Sequence, residues 1–308
     1  MMENEVRISK SWRAGCLALG LVLACHLPEA AAVKIQRDPS VAPAPTPPQA
    51  AQPAPAPAPD LPKLAAAQIA EKNAAARGGL AAWRAVQTMQ LSGKMEAGGK
   101  QDTWLPYTLQ VKRPNKQRLA IEFEGQTSLQ VYDGKNGWKL RPYLNRADPE
   151  PFSPDELRKT EQGPGFDGPL LDHQAKGSKI EVDGTEMVDG KPTYRLKLTD
   201  KLGNAHRIWI DANTFLEAKI EDAPRRFDGK MRPVGTYLSD YRDVQGLKIP
   251  YMFETRVEGV HFNHKMTVEQ VALNPKLDDA LFGKPAPAQL SPARVFKTAP
   301  TAAATQSK

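Results

Sequence analysis

Alternation of apolar and polar side chains is clearest in LPYTLQVKRPNKQRLAIEF, residues 105–123. Apolar side chains occupy every second position, and the period returns after the turn signal Pro114-Asn115. The alternating residues are Leu105, Tyr107, Leu109, Val111, Leu119, Ile121 and Phe123. A period of two indicates strands with one buried face, so this stretch predicts an antiparallel hairpin with a single apolar side.

The same period recurs on both sides of this hairpin. Further strands are predicted around 89–95, 194–198, 206–210, 216–220, 237–242, 249–257 and 264–271. Turn signals separate them at short intervals, namely Asp133-Gly134, Asp183-Gly184, Asp189-Gly190 and Asp228-Gly229. The pattern predicts about ten or eleven strands in one antiparallel meander.

Three segments of this core have helical rather than alternating character. Residues 63–77 are rich in strong helix formers and end before a glycine pair. Residues 153–162 begin with a capping box and a proline at the first helical position. A second short helix is predicted around 168–174, with Leu170 and Leu171 on it. We expect these two central helices to form a lid over the concave face of the sheet.

The N-terminal residues 1–32 have the pattern of an export signal. A basic region precedes the apolar run 14–24, which is too short to span a bilayer, and Ala30-Ala31-Ala32 offers a cleavage site. The favoured reading is simple cleavage and a periplasmic protein. The alternative is an outer-membrane lipoprotein acylated at Cys25, which would supply a membrane anchor.

The segments on either side of the core have biased compositions. Residues 33–62 form a Pro/Ala-rich linker that we expect to be extended, and 284–308 form a tail of Ala/Pro/Thr character expected to be disordered. The tail carries four of the seven net positive charges. The domain at 63–283 therefore has an ordinary mixed surface, which argues against a nucleic-acid partner.

Catalytic signals are weak in this sequence. Both cysteines, Cys16 and Cys25, lie in the export segment, so the core has no thiol for disulfides, nucleophilic attack or thiolate metal sites. His261 and His264 have metal-like spacing, but residues three apart in a strand point to opposite faces. We interpret them as solvated hairpin residues and expect no metal, no cofactor and no enzymatic activity.

The aromatic residues concentrate before and around the predicted lid. They include Trp104, Tyr107, Phe123, Tyr132, Trp138, Tyr143, Phe152 and Phe166. Two interpretations stay open, since such side chains either line a cavity or fill the core between sheet and helices.

Two motifs resemble a known family. The first motif is Val-Lys-Arg-Pro-Asn at 111–115, which resembles the strand-turn-strand of the periplasmic lipoprotein carrier LolA. The second motif is Val-Tyr-Asp-Gly-Lys at 131–135, followed by Trp138 and Tyr143, and it is similar to that family's Asp-Gly-Lys hairpin. Gly168-Pro169-Leu170-Leu171 stands where the family has its lid helix. The sequence thus resembles the LolA/LolB-like superfamily of lipoprotein carriers, receptors and outer-membrane lipoprotein-sorting proteins.

The resemblance implies a mainly β fold with helices. It implies an unclosed antiparallel β-barrel covered by an N-terminal helix and a short helical lid, with acyl chains of lipid or lipoprotein bound inside. The expected lining residues are Leu105, Tyr107, Leu109, Val111, Arg113, Leu119, Ile121, Phe123, Trp138 and Leu140, with Leu170 and Leu171 on the lid.

In the family, an arginine at the position of Arg113 holds the lid by hydrogen bonds, which implies that Arg113 is a gate residue. The alternative is an arginine exposed at a strand end beside Pro114. The chain is longer than a dedicated carrier and has a linker and a basic tail. An envelope protein-interaction or stress-sensing domain, in which the cavity is only core, therefore stays open as a second function.

Overall fold

The computed structural model describes residues 58–97, 103–161, 163, 165–260 and 263–290, together with two short strands near the N-terminus. These are β1 (Cys16–Ala18) and β2 (Leu21–Leu23), which pair with each other. The rest of the predicted signal segment 1–32, including Cys25, lies outside the described residues, as do linker residues 33–57 and tail residues 291–308.

The described core contains a large sheet and short helices. The helices are α1 (Ala66–Ala76), α2 (Leu80–Ala85) and α3 (Pro154–Glu161), with 3₁₀ helices at Pro142–Leu144 and Asp279–Phe282. The strands are β3 (Thr88–Glu96), β4 (Trp104–Lys112), β5 (Lys116–Phe123), β6 (Gln126–Tyr132), β7 (Gly137–Arg141), β8 (Arg146–Pro151), β9 (Lys179–Val188), β10 (Lys191–Thr199), β11 (Ala205–Asp211), β12 (Glu217–Phe227), β13 (Lys230–Val244), β14 (Leu247–Val257) and β15 (Asn263–Leu273).

These thirteen strands form one antiparallel sheet in the described core, in the order β8-β7-β6-β5-β4-β3-β15-β14-β13-β12-β11-β10-β9. The chain runs outward from β3 to β8, crosses to the opposite edge at β9, and returns strand by strand to β15 beside β3. The edge strands β8 and β9 do not pair, so the sheet stays unclosed. The predicted fold class, an unclosed antiparallel β-barrel with helices, is confirmed.

The number of strands is larger than the sequence pattern predicted. Strand β8 (RADPEP) contains two prolines and no β-branched, aromatic or large aliphatic side chain, so its sequence carries little strand signal. Asp183-Gly184 does not form a hairpin turn but lies within β9, where the register with β10 shifts. Here Gly184 has a φ of 116°, which a β-bulge accommodates as readily as a turn does. The predicted turns at Asp189-Gly190 and Asp228-Gly229 are confirmed.

The predicted N-terminal helix is confirmed as α1, which packs on the sheet through the buried Ile69 and Ala70. The chain turns into α2 at Gly78, whose φ is 106°. A Cβ at Gly78 would collide with the carbonyl oxygen of Gly246 in the β13–β14 turn. This position therefore needs glycine for both its backbone conformation and its close approach to the sheet.

The last residues of the linker and the first of the tail contact the domain. The carbonyls of Pro59 and Pro62 accept hydrogen bonds from Thr185 and Tyr194. The Ala288 N–H donates to a carbonyl of the edge strand β8. No helix in the described part of the chain is long and apolar enough to cross a membrane.

Candidate functional site

The concave face of the sheet is apolar along β3, β4 and β5. Strand β4 pairs with β3 so that its residues Leu105, Tyr107, Leu109 and Val111 lie opposite Met95, Gly93, Leu91 and Met89 of β3, respectively. Tyr107 and Leu109 pair across β5 with Ile121 and Leu119. Directly paired residues share a face, and these side chains belong to one buried cluster with Phe123 packed against it. The sequence therefore predicted correctly which residues of β4 and β5 share the apolar face.

The same face continues across the middle of the sheet. Its buried members on the other strands include Met266, Val268, Phe253, Leu238, Ile220, Ile208, Ile210 and Leu196. Helices α1 and α2 cover this face with Ile69 and Trp83, both fully buried. The result is a continuous apolar concave surface with helices on one side.

Trp138 and Leu140, expected to line the same surface, lie on the opposite face of the sheet. They pair with Val131 and Leu129, which belong to a second apolar cluster with Leu277. Which side chains of β7 share a face with those of β5 depends on the registers of the two intervening hairpins, β5–β6 and β6–β7. Alternation within β7 alone does not reveal these registers. We therefore remove both residues from the concave lining.

A covering segment, residues 165–178, follows α3 on the way from one sheet edge to the other. Leu170 and Leu171, both 1% exposed, join the concave apolar cluster, as does Phe166. The two leucines therefore lie where the lid prediction expected them to be. They pack against the face that they cover rather than against solvent.

The covering segment is not the predicted short helix. Positive φ values at Gly168 (82°) and Asp172 (55°) interrupt the backbone, which forms successive turns closed by hydrogen bonds such as His173 N–H to the Leu170 carbonyl, 3.2 Å. A positive φ is incompatible with a right-handed helix. The leucines are thus held by turns, which have fewer internal hydrogen bonds to break than a helix.

Arg113, the predicted gate residue, joins α2 to the covering segment. Its Nε and Nη2 donate to the carbonyls of Val86 (2.9 Å) and Trp83 (3.1 Å), at the end of α2. Its Nη2 also lies 3.2 Å from a carboxylate oxygen of Asp167, and the guanidinium stacks over the ring of Phe166. Arg113 therefore contacts the covering segment through the carboxylate of Asp167 and the ring of Phe166, while both of its carbonyl partners lie at the end of α2.

Arg77, which no local sequence pattern marks, donates to a backbone carbonyl of the covering segment. Its Nη1 donates to the Asp167 carbonyl at 2.7 Å and lies 3.2 Å from Glu217 on β12, with both side chains of the ion pair 4% exposed. The guanidinium also stacks over Trp83. The Tyr241 hydroxyl donates to Glu217, and burial raises the pKa of this phenol well above its ordinary value.

A third cation, Lys176, belongs to the covering segment itself and holds its turns together. The Nζ of Lys176 donates to the carbonyls of Gly168 (2.6 Å) and Leu171 (2.8 Å) and to Asp167 (3.3 Å). Burial lowers the pKa of this ammonium, and the nearby Asp167 carboxylate opposes the shift. Asp167 is thus the centre of the attachment, because its two carboxylate oxygens and its carbonyl each accept from a different cation.

His264 lies inside the barrel, which corrects the expectation of a solvated histidine. It is 7% exposed, and both of its ring nitrogens are buried without a hydrogen-bond partner. It pairs with Thr255 on β14, so the register places its side chain on the concave side. His261 lies outside the described residues. No group of three or more His, Cys, Asp or Glu side chains suited to a metal occurs among the described residues.

The burial of His264 predicts a pH-dependent stability. Desolvation lowers the pKa of its imidazole, Glu96 opposes this shift, and Arg225 reinforces it. The unfolded chain therefore takes up this proton at a higher pH than the folded chain, so stability falls as pH drops through about 6.5 towards the folded-state pKa. Urea unfolding should give a lower free energy of unfolding at about pH 5.5 than at about pH 7.5.

His264→Phe should flatten this dependence, because the titrating group is gone. His206→Phe on β11 is the matched control and should keep it. An unchanged slope in His264→Phe would assign the dependence to other groups.

The fold is similar to several solved structures. A LolA superfamily protein from Nitrosomonas europaea is 16% identical, with a TM-score of 0.47 over 72% of this chain and 99% of that one. A putative outer membrane lipoprotein-sorting protein domain from Vibrio parahaemolyticus is 12% identical, with a TM-score of 0.48 over 70% of this chain and 95% of that one. A DUF1329 family protein from Desulfovibrio piger is 12% identical, with a TM-score of 0.48 over 71% of this chain and 97% of that one.

No family model matches this chain, and no curated protein matches it. The similar structures include proteins named as LolA superfamily and as outer membrane lipoprotein-sorting. What such a domain binds depends on its own concave face and covering segment.

Proposed function

We propose that this protein binds the acyl chains of a lipid or lipoprotein on its concave face, in an envelope transport role rather than as an enzyme. The observation that supports this most is the covering segment. Its two buried leucines occupy the apolar face, yet the segment is a chain of turns attached to the rest of the domain by side-chain contacts at Asp167 and Asp172. Displacing it would expose a preformed apolar surface.

The energetics favour an apolar occupant. A ligand that replaces Leu170 and Leu171 buries its own apolar area, which contributes about 25 cal/mol per Å² removed from water. The same replacement returns the two leucines to solvent, so a long chain that covers more area than both side chains is required for net binding. Acyl chains satisfy this requirement, and small polar metabolites do not.

We place this activity on the periplasmic side of the envelope. The export pattern of residues 1–32 supports the location, and the Pro/Ala-rich linker suits a domain that stands away from a membrane. Intact mass spectrometry of the protein purified from an envelope fraction tests this. Cleavage after Ala32 indicates a free shuttle, acylation of Cys25 indicates an anchored receptor, and an unprocessed N-terminus would contradict the location.

Lipid binding itself is tested by native mass spectrometry and by uptake of the fluorescent apolar probe N-phenylnaphthylamine. We expect bound lipid in the purified protein and saturable probe uptake. Leu109→Asn should weaken uptake about tenfold, because it places an amide on the concave face and removes about 1.4 kcal/mol of apolar contact.

Thr108→Asn, on the outer face of the same strand, is the matched control and should leave uptake unchanged. Absence of both lipid and probe uptake would overturn the binding proposal. Stoichiometric capture of one envelope protein by such a lipid-free preparation would instead favour the interaction or sensing role.

A further inference from the structure

A polar layer interrupts the apolar concave face at one end of the barrel. It consists of Asp222, Thr236, Thr255 and His264, contributed by the four adjacent strands β12 to β15 and each at most 7% exposed. The Thr236 hydroxyl donates to Asp222 at 2.7 Å and lies 3.5 Å from the Thr255 hydroxyl. Burial of hydroxyl and carboxylate groups is costly unless they are hydrogen-bonded, and here the Thr236–Asp222 bond offsets part of that cost.

The register places this layer on the ligand side of the sheet. Thr255 pairs with His264 on one side and with Thr236 on the other. Each of these residues is two positions from a member of the concave cluster, and residues two apart share a face. The cluster members are Phe253, Met266 and Leu238.

His264 is the member of the layer with unused hydrogen-bonding groups. Both of its ring nitrogens are buried and make no hydrogen bond of good geometry, and the backbone group that acts on the imidazole is that of Glu96. A neutral imidazole has one N–H donor and one acceptor nitrogen, so a matching group must both accept and donate. A hydroxyl group does both.

The charges around the layer favour an uncharged head group. The carboxylates of Asp222 and Glu96 are both buried. Arg225 and Arg232 occupy paired positions near the β12–β13 turn and are half-buried, and Arg225 is close enough to act on the imidazole of His264. The charges of the two carboxylates and the two guanidinium groups cancel. The negative charge of an anionic head group would therefore have no unpaired cation near it in a site of low polarity. Arg225 Nη2 is buried without a partner and offers a donor to a carbonyl oxygen.

The layer is also correctly placed for a ligand with a long chain. Glu96, whose carboxylate accepts from the backbone of Lys265, ends β3 on this side, whereas Arg113 follows β4 at the opposite end of the strands. From His264 to Leu273, β15 extends about 30 Å at 3.3 Å per residue. A chain anchored at the layer thus runs towards the part of the concave face that α2 and the covering segment occupy.

We infer that the polar layer binds the uncharged glycerol ester head group of an acylglycerol, with the free hydroxyl on His264 and an ester carbonyl facing Arg225. This inference rests on the proposed function, since it assigns the head group of a ligand whose chain lies on the apolar face. The layer selects among amphiphiles by their head groups, and the apolar face contributes most of the affinity.

Competition against N-phenylnaphthylamine on the full-length protein tests this with three ligands of equal chain length. They are 1-monooleoylglycerol, which has ester and hydroxyls, methyl oleate, which has only the ester, and ionised oleate. We expect 1-monooleoylglycerol to bind about tenfold more tightly than methyl oleate, the value of about one buried hydrogen bond, and more tightly than oleate. His264→Phe should reduce this preference to less than about twofold while keeping probe uptake.

Thr267→Val, on the outer side of β15, is the matched control and should keep the preference. If His264→Phe does not fold, His264→Leu provides the same comparison, because it also removes both ring nitrogens and keeps an apolar side chain in the layer. An undiminished preference in the folded variant, or tighter binding of oleate than of 1-monooleoylglycerol, would overturn the head-group assignment. Equal binding of all three ligands would overturn it too but leave the acyl-binding proposal intact, whereas no binding of probe or ligands would overturn both.

Discussion

Leu171→Ala is expected to increase the affinity for apolar probes about tenfold or more while lowering the free energy of unfolding by about 2–5 kcal/mol. The leucine is 1% exposed and packs into the concave cluster, so its contacts stabilise the closed arrangement. A ligand must displace these contacts in order to bind. Truncation lowers the cost of that displacement, and the apparent affinity rises accordingly. Probe titration and urea unfolding measure the two effects.

Leu196→Ala is the matched control for this prediction. Leu196 is fully buried in the same cluster but belongs to β10, which does not need to move for a ligand to enter. This variant should lose a comparable amount of stability without a gain in probe affinity. If both variants gain affinity equally, general loosening rather than release of the covering segment explains the effect.

Arg77→Met is expected to lower the free energy of unfolding by about 3–5 kcal/mol. The substitution leaves the carboxylate of Glu217 buried without its cation, and it leaves the Asp167 carbonyl without its donor. Desolvation of an unpaired charge is the larger of these two costs. Urea unfolding followed by intrinsic tryptophan fluorescence, to which Trp83 beside Arg77 contributes, reports the loss.

The double variant Arg77→Met, Glu217→Leu separates the charge from the packing. It removes both members of the ion pair, so we expect it to recover a large part of the loss. Arg113→Met is the control for a less buried cation, since the Arg113 side chain is 27% exposed. It should cost less than Arg77→Met. An equal loss in the single and double Arg77 variants would show that packing against Trp83 dominates instead.

Several features of the site were predictable because they depend on neighbours in sequence. Alternation in β4 and β5 identified the concave lining, and a buried leucine pair was expected over it. Trp138 was placed on the wrong face, because parity across two hairpins depends on their registers. Arg77 was missed because the residues it contacts, Asp167 and Glu217, are distant in sequence and no local pattern marks them.

The local sequence is sufficient to determine the strands, the apolar side of each, and the helix 63–77, because side-chain period and helix propensity are properties of neighbouring residues. Only the tertiary structure decides which strands become neighbours. Pairing of β3 with β15 brings Glu96 close to His264. It also joins the strands β3–β8 to the strands β9–β15, so that both groups contribute to one concave face. The covering segment likewise depends on long-range contacts, since its turns are held by cations from other elements. Burial and charge pairing across the whole domain, rather than local preference, fix these contacts.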